Sequence, residues 1–123
     1  MKNWPQDELQ RIAETDDLHI SPLREDEVTY GTPTWVWSVV VGDRLYVRTY
    51  NGQSSRWYKA AMRQKEARIT AARMAWDVVF RPASVEVHAA IDAAYRVKYK
   101  SSAYLEPMIG SQAQSATVEI SPR

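Results

Sequence analysis

Cysteine is absent from the sequence, which excludes a disulfide framework and any thiolate chemistry. That absence is compatible with a reducing compartment. No stretch is long and apolar enough to span a bilayer. The N-terminal residues lack a signal-peptide pattern, because Asp7, Glu8 and Arg11 interrupt any apolar run. The chain is therefore read as cytoplasmic and not bound to a membrane. G-x-S-x-G, H-E-x-x-H and the phosphate-binding P-loop are also missing, so hydrolase and NTPase readings have no residues to rest on. His19 and His88 are isolated from acidic partners at ligand spacing, and no metal site is expected. His88 is read as a solvated helix residue. Asp77 and Asp92 are read as surface charges, not an acid–base pair. Internal repeats and low-complexity tracts are lacking too.

Phenylalanine occurs once, against five Trp and seven Tyr. Trp and Tyr join a large apolar area to a polar handle, so they serve cores, interfaces and ligand walls. The 123 residues suit a single domain, 1–123, with one core. A net charge of +1 hides an asymmetry: residues 1–30 hold eight acids and three bases, whereas residues 43–73 hold eight bases and two acids. The basic middle could attract an anionic ligand, with Tyr46, Tyr50 and Trp57 available for stacking on nucleic acid. The low net charge and the spread of these cations over alternating faces argue against specific nucleic-acid binding. Arg63, Lys65 and Arg68 are read as solvating a helix end and the turn after it.

The chain is organised around Trp35–Met62. Trp35–Val41 is apolar except for Ser38, as a strand buried on both faces would be. Gly42-Asp43 supplies a turn. In Leu45–Tyr50, Leu45, Val47 and Thr49 point one way and Tyr46, Arg48 and Tyr50 the other. Asn51-Gly52 ends this strand. Ser54 or Ser55 caps a short basic helix in which Trp57, Ala60 and Ala61 share one stripe and Tyr58 and Met62 another. A strand end, free helix amides and the cations Arg48, Arg56 and Lys59 make a candidate anion site. Two readings of Arg48 stand: a ligand-binding cation, or an arginine snorkelling on a barrel exterior against its tyrosines. Trp35, Trp37 and Trp57 are read as core or interface.

Elsewhere, Trp4-Pro5 opens a first helix with Asn3 as cap and Pro5 at its first position. Leu18–Leu23 reads as a strand, and Pro22 marks it as an edge or as ending early. Ala67–Arg73 and Ala75–Arg81 read as a second hairpin. Ser84 caps a helix with the stripe Val87, Ile91, Ala94 and Tyr95, running to about Lys100. Ser101–Gly110 is a connector with one helical turn around Tyr104–Met108, and Ala116–Ile120 is a last strand. Hairpin-linked strands imply antiparallel pairing. The expected fold is mainly β with flanking helices: a six-stranded antiparallel split β-barrel. Its aromatics exceed what so small a barrel can bury, which predicts a homodimer.

The stretch PTWVWSVVVGDRLYVRTYNGQSSRWYKAAMRQKEARIT resembles the flavin- and deazaflavin-binding split-barrel superfamily, which includes the pyridoxamine-phosphate oxidases and the deazaflavin-dependent nitroreductases. The matching segments, in order and spacing, are Gly42–Val47, Ser54–Tyr58 and Ala67–Thr70. Ala93–Tyr99 and the closing Pro122-Arg123 resemble an uncharacterised bacterial domain-of-unknown-function family within or near that superfamily. The resemblance implies a flavin- or deazaflavin-dependent oxidoreductase with FMN or a deazaflavin as cofactor. It also implies a small-molecule substrate and a ligand cleft bounded by a second subunit. The positions matching the superfamily's phosphate-binding segment are Arg48, Thr49, Ser54, Ser55 and Arg56, and Trp57 completes the candidate cofactor-binding set. The helix reads WYKAAM where the enzymes carry an Asn-Leu pair, and Gly31–Thr34 lacks the basic residue of several deazaflavin binders. A non-catalytic split barrel without a cofactor is the alternative.

Overall fold

The computed structural model describes residues 3–50 and 52–123. Five helices and seven strands follow one another in the order α1 (Gln6–Ala13), β1 (His19–Pro22), β2 (Thr34–Trp35), β3 (Ser38–Val41), β4 (Arg44–Arg48), α2 (Arg56–Gln64), β5 (Glu66–Ala71), β6 (Met74–Pro82), α3 (His88–Lys98), α4 (Leu105–Met108), α5 (Ser111–Gln114) and β7 (Thr117–Pro122). Short 3₁₀ turns at Gly52–Ser54 and Val85–Val87 lead into α2 and α3.

All strands join one antiparallel sheet in the order β2-β1-β5-β6-β7-β4-β3. The expected six strands are seven, because Trp35–Val41 is not one strand. It breaks at Val36-Trp37 into β2, on one edge of the sheet, and β3, on the other. That break dictates the shape. Seven strands laid flat would put the edges about 28 Å apart at the usual inter-strand spacing. Three residue steps from Trp35 to Ser38 span at most about 11 Å. The sheet must therefore curl until its edges approach, and it forms an open half-barrel whose seam is spanned by Val36 and Trp37.

The period-2 pattern sorts side chains to two cores. Leu45, Val47, Val78, Ile69 and Ile120 face the inside of the curl, where Leu9 and Ile12 of α1 and Trp57 and Ala61 of α2 plug it. Trp37, Val39 and Tyr46 face outward but are roofed by Ile91, Tyr95 and Tyr99. Both faces of β3–β4 are thus covered, which explains their near-continuous apolarity. The Trp4 indole donates to the Ile120 carbonyl at 2.9 Å and meets Trp76 edge-on, tying α1 to the sheet.

Several local expectations are corrected. Pro5 stands at the N-cap of α1 and not inside it. β1 is interior, between β2 and β5. Pro22 is tolerated because two-residue β2 reaches only His19 and Ile20, so the far half of β1 has β5 as its ladder partner. Helix α3 ends at Lys98, and α5 is a turn that the sequence pattern does not predict. β7 runs to Pro122 and sits between β6 and β4.

Candidate functional site

Arg48 is the largest fully buried side chain in the described structure. Strand alternation puts it on the Tyr46 face, which α3 covers, so its guanidinium ends beneath that helix. The buried charge is matched. Nη1 donates to the Asp92 carboxylate and to the Met108 carbonyl at 3.0 Å, and Nε donates to Thr117 Oγ1 at 2.9 Å. Nη2 lies 3.4 Å from His88 Nδ1 and 3.5 Å from the His88 carbonyl. The guanidinium carbon stands 5.5 Å from the centre of the Tyr95 ring. Burial first, and the Arg48 charge second, hold the His88 imidazole below its usual pKa. His88 is thus a half-buried neighbour of Arg48 and not a solvated residue. Asp77 and Asp92 do not meet: Asp77 pairs with Arg68 and Arg123, and Asp92 pairs with Arg48 and Gln114.

Around this arginine the seam of the half-barrel opens into a cavity of about 610 Å³, a size typical of small-molecule sites. Trp35, Trp37, Tyr50, Trp57 and Tyr104 give it flat aromatic walls. Thr34, Ser55 and Ser102 also line it. Trp37 is held by parallel stacking on Tyr99, with ring centres 4.0 Å apart. Burial pushes the Tyr99 phenol up to about 12, so it serves as a neutral donor, here to the Ser38 carbonyl at 3.3 Å. Burial likewise pushes the Tyr95 phenol up, and it donates to the Trp37 carbonyl at 3.1 Å. The wall is therefore rigid on the α3 side. At the mouth, Trp35, Tyr50 and Tyr104 are exposed.

The structure brings Arg48, Thr49, Ser55 and Trp57 together on this cavity. It does not bring Arg56 there. Arg56 lines a second, adjoining cleft of about 660 Å³ with Arg24 and Arg63. Thr49 Oγ1 donates to the Gly52 carbonyl and so braces the strand end. Ser55 stands at the N-cap of α2 but makes no side-chain cap bond, contrary to the capping expected of it. Ser54 belongs to the 3₁₀ turn, and Asn51 lies outside the described residues. Gly52 is buried at φ +66°, and a Cβ there would stand 2.6 Å from Gln112 Cγ.

Asp92, His88, Thr117 and Tyr104 escape the sequence reading. One signal was available: His88, Asp92 and Tyr95 follow at i, i+4 and i+7 on the stripe that carries Ile91. A carboxylate on a helix's buried face needs a cation, and Arg48 on a doubly buried strand needs an anion. Among the described residues no three His, Asp or Glu side chains cluster as a metal site.

Fold and site define a class: a curled antiparallel half-barrel, compatible with a split barrel, with an aromatic-walled cavity at its seam. The chain belongs to the bacterial family described as "Uncharacterized protein conserved in bacteria (DUF2255)", whose family model matches residues 8–120. No match is found among curated proteins.

Proposed function

We propose that the seam cavity binds a planar heteroaromatic ring of the flavin or deazaflavin class, and that the protein is an oxidoreductase acting through it. The carrying observation is a cavity of about 610 Å³ walled by three indoles and two phenols beside a fully buried arginine. Such walls offer stacking surface to a flat ligand at little conformational cost. The ring therefore fits the residues present. Trp37 and Trp57 would hold it, Thr34, Ser55 and Ser102 would orient its polar edge, and the aromatic mouth would exclude water. When bound, a flavin-type group supplies hydride transfer. The alternative, a binding protein without catalysis, is favoured by the saturation of the Arg48 guanidinium with internal partners.

Titration of the protein with flavin mononucleotide and with a deazaflavin should quench tryptophan fluorescence, with saturation in the micromolar range. A flat titration with both would remove the reading. Recovery of binding without any hydride transfer to or from the bound ring would leave the non-catalytic alternative.

The exposed Trp35, Tyr50 and Tyr104 surround the mouth of this cavity, and such rings favour interfaces. The reading therefore includes a homodimer in which a second copy covers the mouth. Light scattering should give twice the chain mass at micromolar concentration; a monomer mass, with Trp35→Ser changing nothing, would count against it.

A further inference from the structure

The cation beside the seam cavity has no donor left to give a ligand. A guanidinium presents five N–H donors and no acceptor. In Arg48 each of them meets an acceptor inside the protein. Nε faces Thr117 Oγ1, Nη1 faces the Asp92 carboxylate and the Met108 carbonyl, and Nη2 faces His88 Nδ1 and the His88 carbonyl. Its charge is matched too, by Asp92. Because Arg48 can only donate, His88 Nδ1 must accept, so that imidazole is neutral and adds no second cation. The Thr49 hydroxyl is spent on the Gly52 carbonyl. Among the described residues, Arg48 is the one charged residue that lines the cavity.

An anion in this cavity would therefore meet an ion pair whose charges cancel. To gain a cation it would have to draw Arg48 away from Asp92, a carboxylate that is only 15% exposed. Stripping the countercharge from a buried group is strongly unfavourable, and the anion would also give up its hydration.

The donors that remain open are neutral. Trp37 and Trp57 line the cavity and are 9% and 7% exposed. The indole N–H groups of Trp4, Trp35 and Trp76 donate to Ile120, Asp16 and Glu8. Those of Trp37 and Trp57 have no hydrogen-bond partner among the described residues. No enclosed side-chain nitrogen or oxygen there is left unpaired, so both N–H groups reach open space. Neutral donors set in aromatic walls suit a ligand that offers uncharged acceptors, such as ring carbonyls or ring nitrogens.

We infer that the seam cavity selects an uncharged planar ligand, held by stacking and by neutral donors, and that it gives no anchor to a phosphate. Arg48, at a position that the superfamily resemblance gives to phosphate, is then a structural tie that joins β4 to α3, α4 and β7. This inference rests on the planar-ring reading above and narrows it to a ligand class.

Riboflavin and flavin mononucleotide share a ring and differ in the tail phosphate, so they separate the two ideas. Both are titrated into the wild-type protein, with tryptophan fluorescence as the readout, at about 50 mM and about 500 mM sodium chloride, which differ several-fold in screening. Flavin mononucleotide should bind no more than about three-fold more tightly than riboflavin, and neither affinity should move by more than about two-fold with salt. A larger preference for flavin mononucleotide, toward the roughly ten-fold of one charge-assisted hydrogen bond, overturns the inference while the ring site stands. So does an affinity for flavin mononucleotide that falls with salt while that for riboflavin holds. If neither ligand binds, the ring site and its selection for neutral ligands fall together.

Discussion

Asp92→Ala is expected to destabilise the protein by about 3–5 kcal/mol, the usual cost of stripping one partner from a buried ion pair. The Arg48 side chain is wholly buried, and Asp92 is its carboxylate. With Asp92 gone, the guanidinium keeps Thr117 Oγ1 and the Met108 carbonyl, which are dipoles and not countercharges. Burying an unmatched cation in this way is unfavourable. For a domain of this size the loss amounts to a fall in melting temperature of about 10–20 °C. The double change Arg48→Met with Asp92→Leu should recover most of it, because an apolar pair of similar volume removes both desolvation costs. Thermal and urea unfolding of the two variants measure this. A shift of less than about 3 °C for Asp92→Ala would mean that the pair is not buried as described.

Gly52→Ala should be the second large effect, at about 2–3 kcal/mol. Two terms contribute. An alanine at φ +66° occupies the left-handed region at a cost of roughly 1–2 kcal/mol. Its Cβ would also stand 2.6 Å from Gln112 Cγ and 3.1 Å from the Gln112 carbonyl, so α5 must shift. Gly42 is the matched control: its φ is +63°, yet a Cβ there meets nothing within 4 Å. Gly42→Ala should therefore show the conformational term alone, and the difference in urea midpoint between the two variants reads the contact with α5. Equal costs would show that Gln112 gives way freely.

The β pattern was legible where one face is apolar and the other is not. Alternation in Ile69–Ala71 and Val78–Phe80, and the helical spacing of Ile91 and Tyr95, are visible in the residues alone. The break at Val36-Trp37 was not, because an apolar run buried on both sides looks the same whether it is one strand or two strands on opposite edges. Whether such a run continues or crosses a seam depends on how far the rest of the sheet curls, and that is a long-range property. For the site, the segment Arg48–Trp57 stood out by its cations and hydroxyls. Its division did not: Arg48 faces α3 because β4 alternates, and Arg56 lines the adjoining cleft as the first residue of α2, one past the Ser55 N-cap. The partner of Arg48 comes from a helix forty-four residues further on, and nothing local announces such a pair.

The place of β7 carries a consequence for how the protein is made. The hairpins β3–β4 and β5–β6 do not pair with each other; each pairs with β7, which fills the gap between β4 and β6. During synthesis both hairpins leave the ribosome with one edge open and wait until residues 117–122 emerge. Until then the sheet is two unjoined halves, each with a row of unsatisfied amides and carbonyls. The whole span of sequence must be searched before the central strand locks in, so folding is governed by late, distant contacts. The seam cavity, whose walls come from both ends of the half-barrel, takes shape only after that keystone is set.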